Sequence, residues 1–180
     1  MDEAQVVAKV REGRTDAFGE IIEHYQAPIV RYLARLTGND EVARDLAQDT
    51  FVQAYQSILK TRSELSFKAW LYRIATNTAH GYHRRRRLLS FIPLIGREQS
   101  VDPAANEFPE RVAERMAIEE AMRDVPHERR SCMILHFVEG LKYREIAEIA
   151  GVSEEAVRKR VARGSEQFRR AYRALSGDQE

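Results

Sequence analysis

The 180-residue chain has a single cysteine, Cys132, which excludes a disulfide framework and a cysteine-based zinc site. No apolar run approaches the ~18 residues that a membrane span requires. The first residues, MDEAQVVAKVREG, lack the pattern of a secretory leader. A cytoplasmic protein without membrane insertion is therefore expected. There is no glycine-rich phosphate loop and no nucleophile–base pairing, so neither an enzyme nor a cofactor is expected. Net charge is nearly absent as well, since 29 Lys+Arg against 28 Asp+Glu leave +1. What the chain does have is 43% hydrophobic and 32% charged residues, too apolar for full disorder. Its length admits one ordinary domain or two small ones.

The near-zero sum hides its parts. Residues 1–60 carry 7 basic and 10 acidic groups, 61–100 carry 8 and 2, 101–140 carry 5 and 9, and 141–180 carry 9 and 7. The blocks are thus −3, +6, −4 and +2. A polyanion responds to local field over a Debye length of ~8–10 Å, so the +6 block weighs more than the total.

Helical periodicity dominates, and no segment alternates with period two. Phe18, Ile21, Ile22, Tyr25, Ile29, Tyr32, Leu33 and Leu36 keep to one face. Thr15 and Asp16 are cap candidates for that helix, Gly38-Asn39 ends it, and Pro28 should kink or split it. A second helix over 40–60 turns Val42, Leu46, Phe51, Ala54, Tyr55 and Ile58 inward. A third over 67–87 uses Phe67, Leu71, Ile74, Ala75, Thr78 and Tyr82. Residues 88–109 hold three of the five prolines and no sustained period, which reads as a flexible linker. Its apolar start, Leu88–Ile95, suits packing on the protein itself or on a partner. Helices resume at Pro109 (Val112, Met116, Ala121, Met122, Val125 inward) and at Pro126 (Met133, Ile134, Phe137, Val138). Two more cover 142–150 and 154–175, the last with Val157, Val161, Phe168, Tyr172 and Leu175 inward. The fold class is all-α: two small helical domains, 1–87 and 110–176, joined by linker 88–109.

Residues 141–163, LKYREIAEIAGVSEEAVRKRVAR, read as a short helix, a glycine turn and a longer basic helix, a helix-turn-helix (HTH). Ala147 is small where the helices approach, Gly151 supplies a positive φ, and Ile146, Val152 and Val157 form the shared core. Ser153 is the N-cap candidate, with Glu154 and Glu155 matched to the helix dipole. Arg158, Lys159 and Arg163 can face a major groove and its phosphates, while Arg160 lies nearer the flank. Glu154 and Glu155 at the groove-facing end oppose phosphate unless one accepts a hydrogen bond from a cytosine amine. An ordinary helical hairpin with a solvated basic face is the simpler alternative.

Residues 67–87, FKAWLYRIATNTAHGYHRRRR, interleave aromatics with Lys68, Arg73 and four arginines. Cations that follow a backbone and planar groups that stack on bases hold single strands in this way. Phe67, Leu71, Ile74 and Tyr82 fit core positions. Trp70 and Tyr72 fall off that stripe, and no folding argument requires Arg84–Arg87. His80 and His83 lack a third ligand, and His24, His127 and His136 are isolated, so no metal site is expected.

In their order, these segments resemble bacterial RNA polymerase sigma factors of the extracytoplasmic-function type, of the sigma-70 family. Residues 16–39 resemble that family's first helix pair, 41–58 its polymerase-binding helix, 67–87 its promoter-melting segment and 141–163 its −35-reading HTH. The resemblance implies that 1–87 binds core polymerase and melts the −10 element, and that 110–176 reads the −35 duplex. It implies that Asp45, Gln48, Asp49 and Phe51 dock on the clamp helices of the polymerase's largest catalytic subunit. It implies that Thr61, Arg62, Ser63, Lys68, Trp70, Arg73, Asn77, Arg84 and Arg85 meet the −10 strand, with Asn77 as an edge reader of an extruded base. The −35 duplex falls to Ser153, Glu154, Glu155, Arg158, Lys159 and Arg163, and an anti-sigma factor is an implied partner. The chain departs from the family's pattern at Thr61, where an aromatic is frequent. It departs again at Glu155-Ala156, where Gly-Thr is usual, and at Gly164-Ser165, where Ala-Arg is usual. A conventional HTH regulator of duplex operators is the alternative, and a protein that only sequesters polymerase is a second; both leave WLYRIATN and the arginine run unexplained.

Overall fold

The computed structural model describes residues 2–59, 66–89 and 109–176, without the side chains of 87–89 and 109–111. The described residues hold eight helices and no strand: α1 Glu3–Arg11, α2 Ala17–Thr37, α3 Asp40–Ile58, α4 Phe67–Leu89, α5 Pro109–Arg123, α6 His127–Phe137, α7 Tyr143–Ala150 and α8 Glu154–Ser176. The chain divides into two compact units, Met1–Gly96 and Arg97–Glu180.

In the first unit α2, α3 and α4 pack on one another, and α1 lies on α2 and α3. Local chemistry sets the breaks. The Thr37 hydroxyl donates to the Leu33 carbonyl (2.8 Å), Gly38 turns the chain at φ +69°, and the Asn39 side chain accepts from the Val42 N–H (2.9 Å). Ser66 caps α4 by accepting from the Ala69 N–H (3.2 Å). Two expectations for α2 fail. Neither Thr15 nor Asp16 caps it through a side chain: Asp16 is the N-cap residue but is αR, with no side-chain hydrogen bond. Pro28 does not split it, because Ile29, Tyr32, Leu33 and Leu36, all at 0% exposure, bury the face on which the helix continues.

A polar chain runs through the core of this unit. Thr76 donates to the Tyr72 carbonyl (2.7 Å), which leaves its oxygen to accept from the Tyr32 hydroxyl (2.7 Å), and the Tyr32 and Tyr72 rings meet edge to face at 5.1 Å. Tyr72 is fully buried and Trp70 is 9% exposed, so both belong to the core; the stripe read from the sequence was too narrow. Ala69, Ala75 and Ala79, each fully buried, let α4 sink between its neighbours and widen the buried face to include both rings. The third helix also runs on to Leu89, so Leu88 and Leu89 are helical; the remainder of the apolar stretch, to Ile95, lies outside the described residues.

Helix α1 was not foreseen. Val6 and Val10 bury it, the Tyr25 hydroxyl donates to the Glu3 carboxylate, and Arg11 Nε donates to the Ile58 carbonyl at 3.0 Å. Burial, and then the hydrogen bond and charge of Glu3, push the Tyr25 hydroxyl's pKa up, so it stays a donor.

In the second unit α5, α6 and α7 pack against α8. The buried Arg130 donates to the Arg123 and Val125 carbonyls (2.9 and 3.0 Å), closing the turn between α5 and α6. Gly164 lets α8 approach α6, because a Cβ there would lie 2.5 Å from Met133 Sδ and 3.2 Å from Arg129 Cβ. Cys132 is buried, and burial raises its thiol pKa against an opposing effect of Arg160. Met116, Phe137, Val138 and Leu175, expected inside, are 53%, 64%, 51% and 50% exposed.

Two stability outcomes are expected. Tyr32→Phe should cost ~1 kcal/mol in urea unfolding, because it removes the Thr76 partner in the core. Gly164→Val should cost ~1–3 kcal/mol by overpacking. Part of that loss should return in a Met133→Ala background, which a double-mutant cycle measures.

Candidate nucleic-acid interface

Burying Trp70, Leu71 and Tyr72 leaves an opposite face on α4. Arg73, Asn77 and Arg84 are exposed there, at i, i+4 and i+11, spacings that return to one side of a helix. Arg85 and Arg86 are exposed beside them, and Arg86 donates to the Tyr82 hydroxyl at 3.3 Å. Lys68 is half-buried with its ammonium 5.8 Å from the Tyr72 ring centre. Trp70 is set against Phe67 at 5.4 Å, and Phe67 against Tyr25 at 5.7 Å, so Trp70 supports the face more than it forms it. Thr61, Arg62 and Ser63 lie outside the described residues. The arrangement offers a row of cations with one amide among them, suited to a phosphate backbone and a base edge.

A second feature of this unit is a groove of about 540 Å³ between α2 and α3. Asp45 and Gln48 stand at it, with Phe18, Ile22, Val52 and Tyr55 among the apolar lining. Asp45, Gln48 and Asp49 are exposed as expected of a docking face, and Asp49 is not among the lining residues. Phe51 departs from that picture: at 7% exposure it contributes to the groove from within the core. Sequence reasoning missed Val52, which is 52% exposed. The available signal was an apolar residue off the buried stripe of its own helix.

In the second unit the HTH closes as the spacing predicts. Gly151 takes φ +65°, the Val152 N–H donates to the Ala147 carbonyl (3.0 Å), and Ile146 and Val157 are fully buried, whereas Val152, expected in the same core, is half-buried in the turn. Ser153 is the N-cap, its hydroxyl oxygen accepting from the Ala156 N–H at 3.2 Å. The Lys142 N–H donates to Glu145, which fixes the start of α7. Three of the four cations over 158–163 of α8 are engaged. Arg158 Nη2 is 2.8 Å from Glu154 Oε1, Lys159 Nζ is 2.6 Å from Glu155 Oε1, and Arg160 Nη2 is 3.1 Å from Glu128 Oε2 on α6. Arg158 also stands 5.8 Å from the Tyr143 ring centre, and the His136 ring packs on Tyr143 at 4.4 Å between centroids. Arg163 is exposed and has no ion-pair partner among the described residues. Tyr143 and Glu128 are further residues that sequence reasoning missed, since each acts from another helix. Among the described residues no cluster of three metal-ligating side chains occurs, and no helix is long and apolar enough to cross a membrane.

Comparison with known proteins follows the same division. The family model of sigma-70 region 2 matches residues 21–88, and that of sigma-70 region 4 matches 115–168. The chain is 30% identical to the ECF RNA polymerase sigma-E factor of Haemophilus influenzae, covering 94% of this chain and 95% of that one. It is 32% identical to the RNA polymerase sigma-H factor of Pseudomonas aeruginosa, with 95% and 94% covered. Among solved structures, the sigma factor RpoE of Bartonella quintana, bound to the anti-sigma factor NepR, has the same fold at TM-score 0.71, 21% identity and coverage of 91% and 98%. CnrH, bound to the cytosolic domain of CnrY, does so at TM-score 0.70 and 21% identity, with 97% of each chain covered. Both region models match in order along the chain, and relatives at 30% and 32% identity cover nearly all of it: the chain belongs to the extracytoplasmic-function (ECF) sigma factors of the sigma-70 family.

Proposed function

We propose that this protein joins core RNA polymerase as its promoter-specificity subunit, working in the cytoplasm and without catalysis of its own. Residues 1–87 are assigned to polymerase binding and the melted −10 strand, 88–109 to the tether, and 110–176 to the −35 duplex. The observation that carries the reading is the co-occurrence, in one chain, of the exposed Arg73–Asn77–Arg84 row with the HTH. A duplex-only regulator has no use for a cationic row that also carries a base-edge amide.

The roles divide by chemistry. The groove beside Asp45, Gln48 and Val52 accepts the clamp helices of the largest polymerase subunit, with Val52 and its apolar neighbours as the contact. Arg73 and Arg84 follow the strand's phosphates, and Asn77 hydrogen-bonds an extruded base. Extrusion costs a few kcal/mol, which base contacts must offset. Thr61, Arg62, Ser63, Lys68 and Arg85 complete the −10 assignment, with the buried Trp70 supporting the face from behind. At the other end Ser153, Arg158, Lys159 and Arg163 meet the −35 duplex. Control by an anti-sigma factor is supported by the fold shared with RpoE, which was solved with one.

Run-off transcription with purified core polymerase tests the reading, and a promoter-dependent transcript is the expected result. Duplex binding to palindromic sites without polymerase, and no transcript, would favour the conventional regulator instead. Val52→Glu should weaken core binding about tenfold or more, as expected for an anchor in an apolar groove. Arg73→Ala with Asn77→Ala should leave core binding intact. It should lower holoenzyme affinity for a single-stranded −10 oligonucleotide roughly tenfold or more, the scale of one lost base contact.

A further inference from the structure

Where it would meet DNA, helix α8 offers less free positive charge than its four cations suggest. Its first turns carry Glu154 and Glu155 ahead of Arg158, Lys159, Arg160 and Arg163. Three of these four cations already face a carboxylate: Glu154 (2.8 Å), Glu155 (2.6 Å) and Glu128 (3.1 Å). The Arg160 pair bridges α8 to α6 and has a structural use. The other two lie within α8 at i,i+4, on side chains 45–75% exposed, where such pairs add little stability. Their effect on an approaching phosphate is larger than their effect on the fold. When Arg158 and Lys159 turn to a phosphate the two carboxylates do not leave; they remain one helical turn away, inside a Debye length of ~8–10 Å, and repel it. The Arg158 guanidinium also lies over the Tyr143 ring at 5.8 Å, a second contact beside its pair with Glu154.

We propose that Glu154 and Glu155 are specificity-determining residues that act as built-in counterions. They neutralise the recognition helix toward arbitrary duplex, so that binding is recovered only where a cytosine amine donates to a carboxylate and frees its cation for a phosphate. A cytosine amine is the one base-edge donor in the major groove that stands without a neighbouring acceptor on the same base. The inference rests on the −35 assignment made above and deepens it. It also accounts for the acidic pair at a phosphate-facing helix start.

The test uses the full chain with Glu154→Gln/Glu155→Gln, which keeps shape and removes charge. A Glu12→Gln variant controls for charge elsewhere. The first probe is a 30-base-pair duplex of mixed sequence, titrated by anisotropy across a salt series. The double variant should bind roughly tenfold more tightly, and its log–log salt slope should steepen by about one to two, the change expected for one or two added phosphate contacts. The control should show neither change, and all three proteins should melt alike. The second arm compares wild-type and variant holoenzyme on promoter and non-promoter templates. The variant should gain starts on non-promoter DNA and lose discrimination about tenfold, following the tighter mixed-sequence binding. Equal affinity, equal slope and unchanged discrimination in the double variant would overturn the proposal. If wild-type holoenzyme gives no promoter-dependent transcript, the sigma reading fails, while the duplex titration still decides whether the carboxylates suppress phosphate binding.

Discussion

The rotation of α4 about its own axis is the constraint on which the first unit depends. Thr76, its own proton given to the Tyr72 carbonyl, can satisfy the Tyr32 hydroxyl from only one rotation, and in that rotation Leu71, Ala75 and Ala79 are also sealed. A helix that buries this arc has one arc left, and it holds Arg73, Asn77 and Arg84. The cationic row is therefore not an independent surface but the other side of the core. Polar groups inside the core carry the alignment because a hydroxyl accepts few geometries, whereas an alanine face alone would tolerate sliding.

Much of this was legible from residue order. Seven of the eight helices follow from period and breakers, with Gly38, Gly151 and Ser153 performing the local tasks their chemistry suggests. The misses have physical causes. Trp70 and Tyr72 read as surface because alanines carry little weight in a hydrophobic stripe, yet alanines at 69, 75 and 79 are what allow deep docking. Helix α1 is nine residues long with two buried valines, so its signal is weak and its support is tertiary, through Glu3–Tyr25 and Arg11–Ile58. Phe137 and Val138 continue the α6 pattern but fall at the end of the helix, where nothing described covers them.

At the site the sequence showed residue types and left partnerships open. The i,i+4 spacing of Glu154 with Arg158 and of Glu155 with Lys159 permits ion pairs; the structure fixes that both form and that Arg160 turns instead to α6. The same division applies to charge at large. Neither the total of +1 nor the block values say which cations are already neutralised by a neighbour, and that is what an incoming phosphate meets.

Helix α1 has a consequence for how the protein is handled and compared. It precedes the residues that match region 2, which begin at 21. Even so, Arg11 reaches the last turn of α3, and Glu3 reaches Tyr25, against which the first residue of α4 is packed. A truncation to the matched residues alone therefore removes a contact at each of the two helix ends that flank residues 60–65. Conclusions about strand capture drawn from such trimmed protein would describe an altered brace.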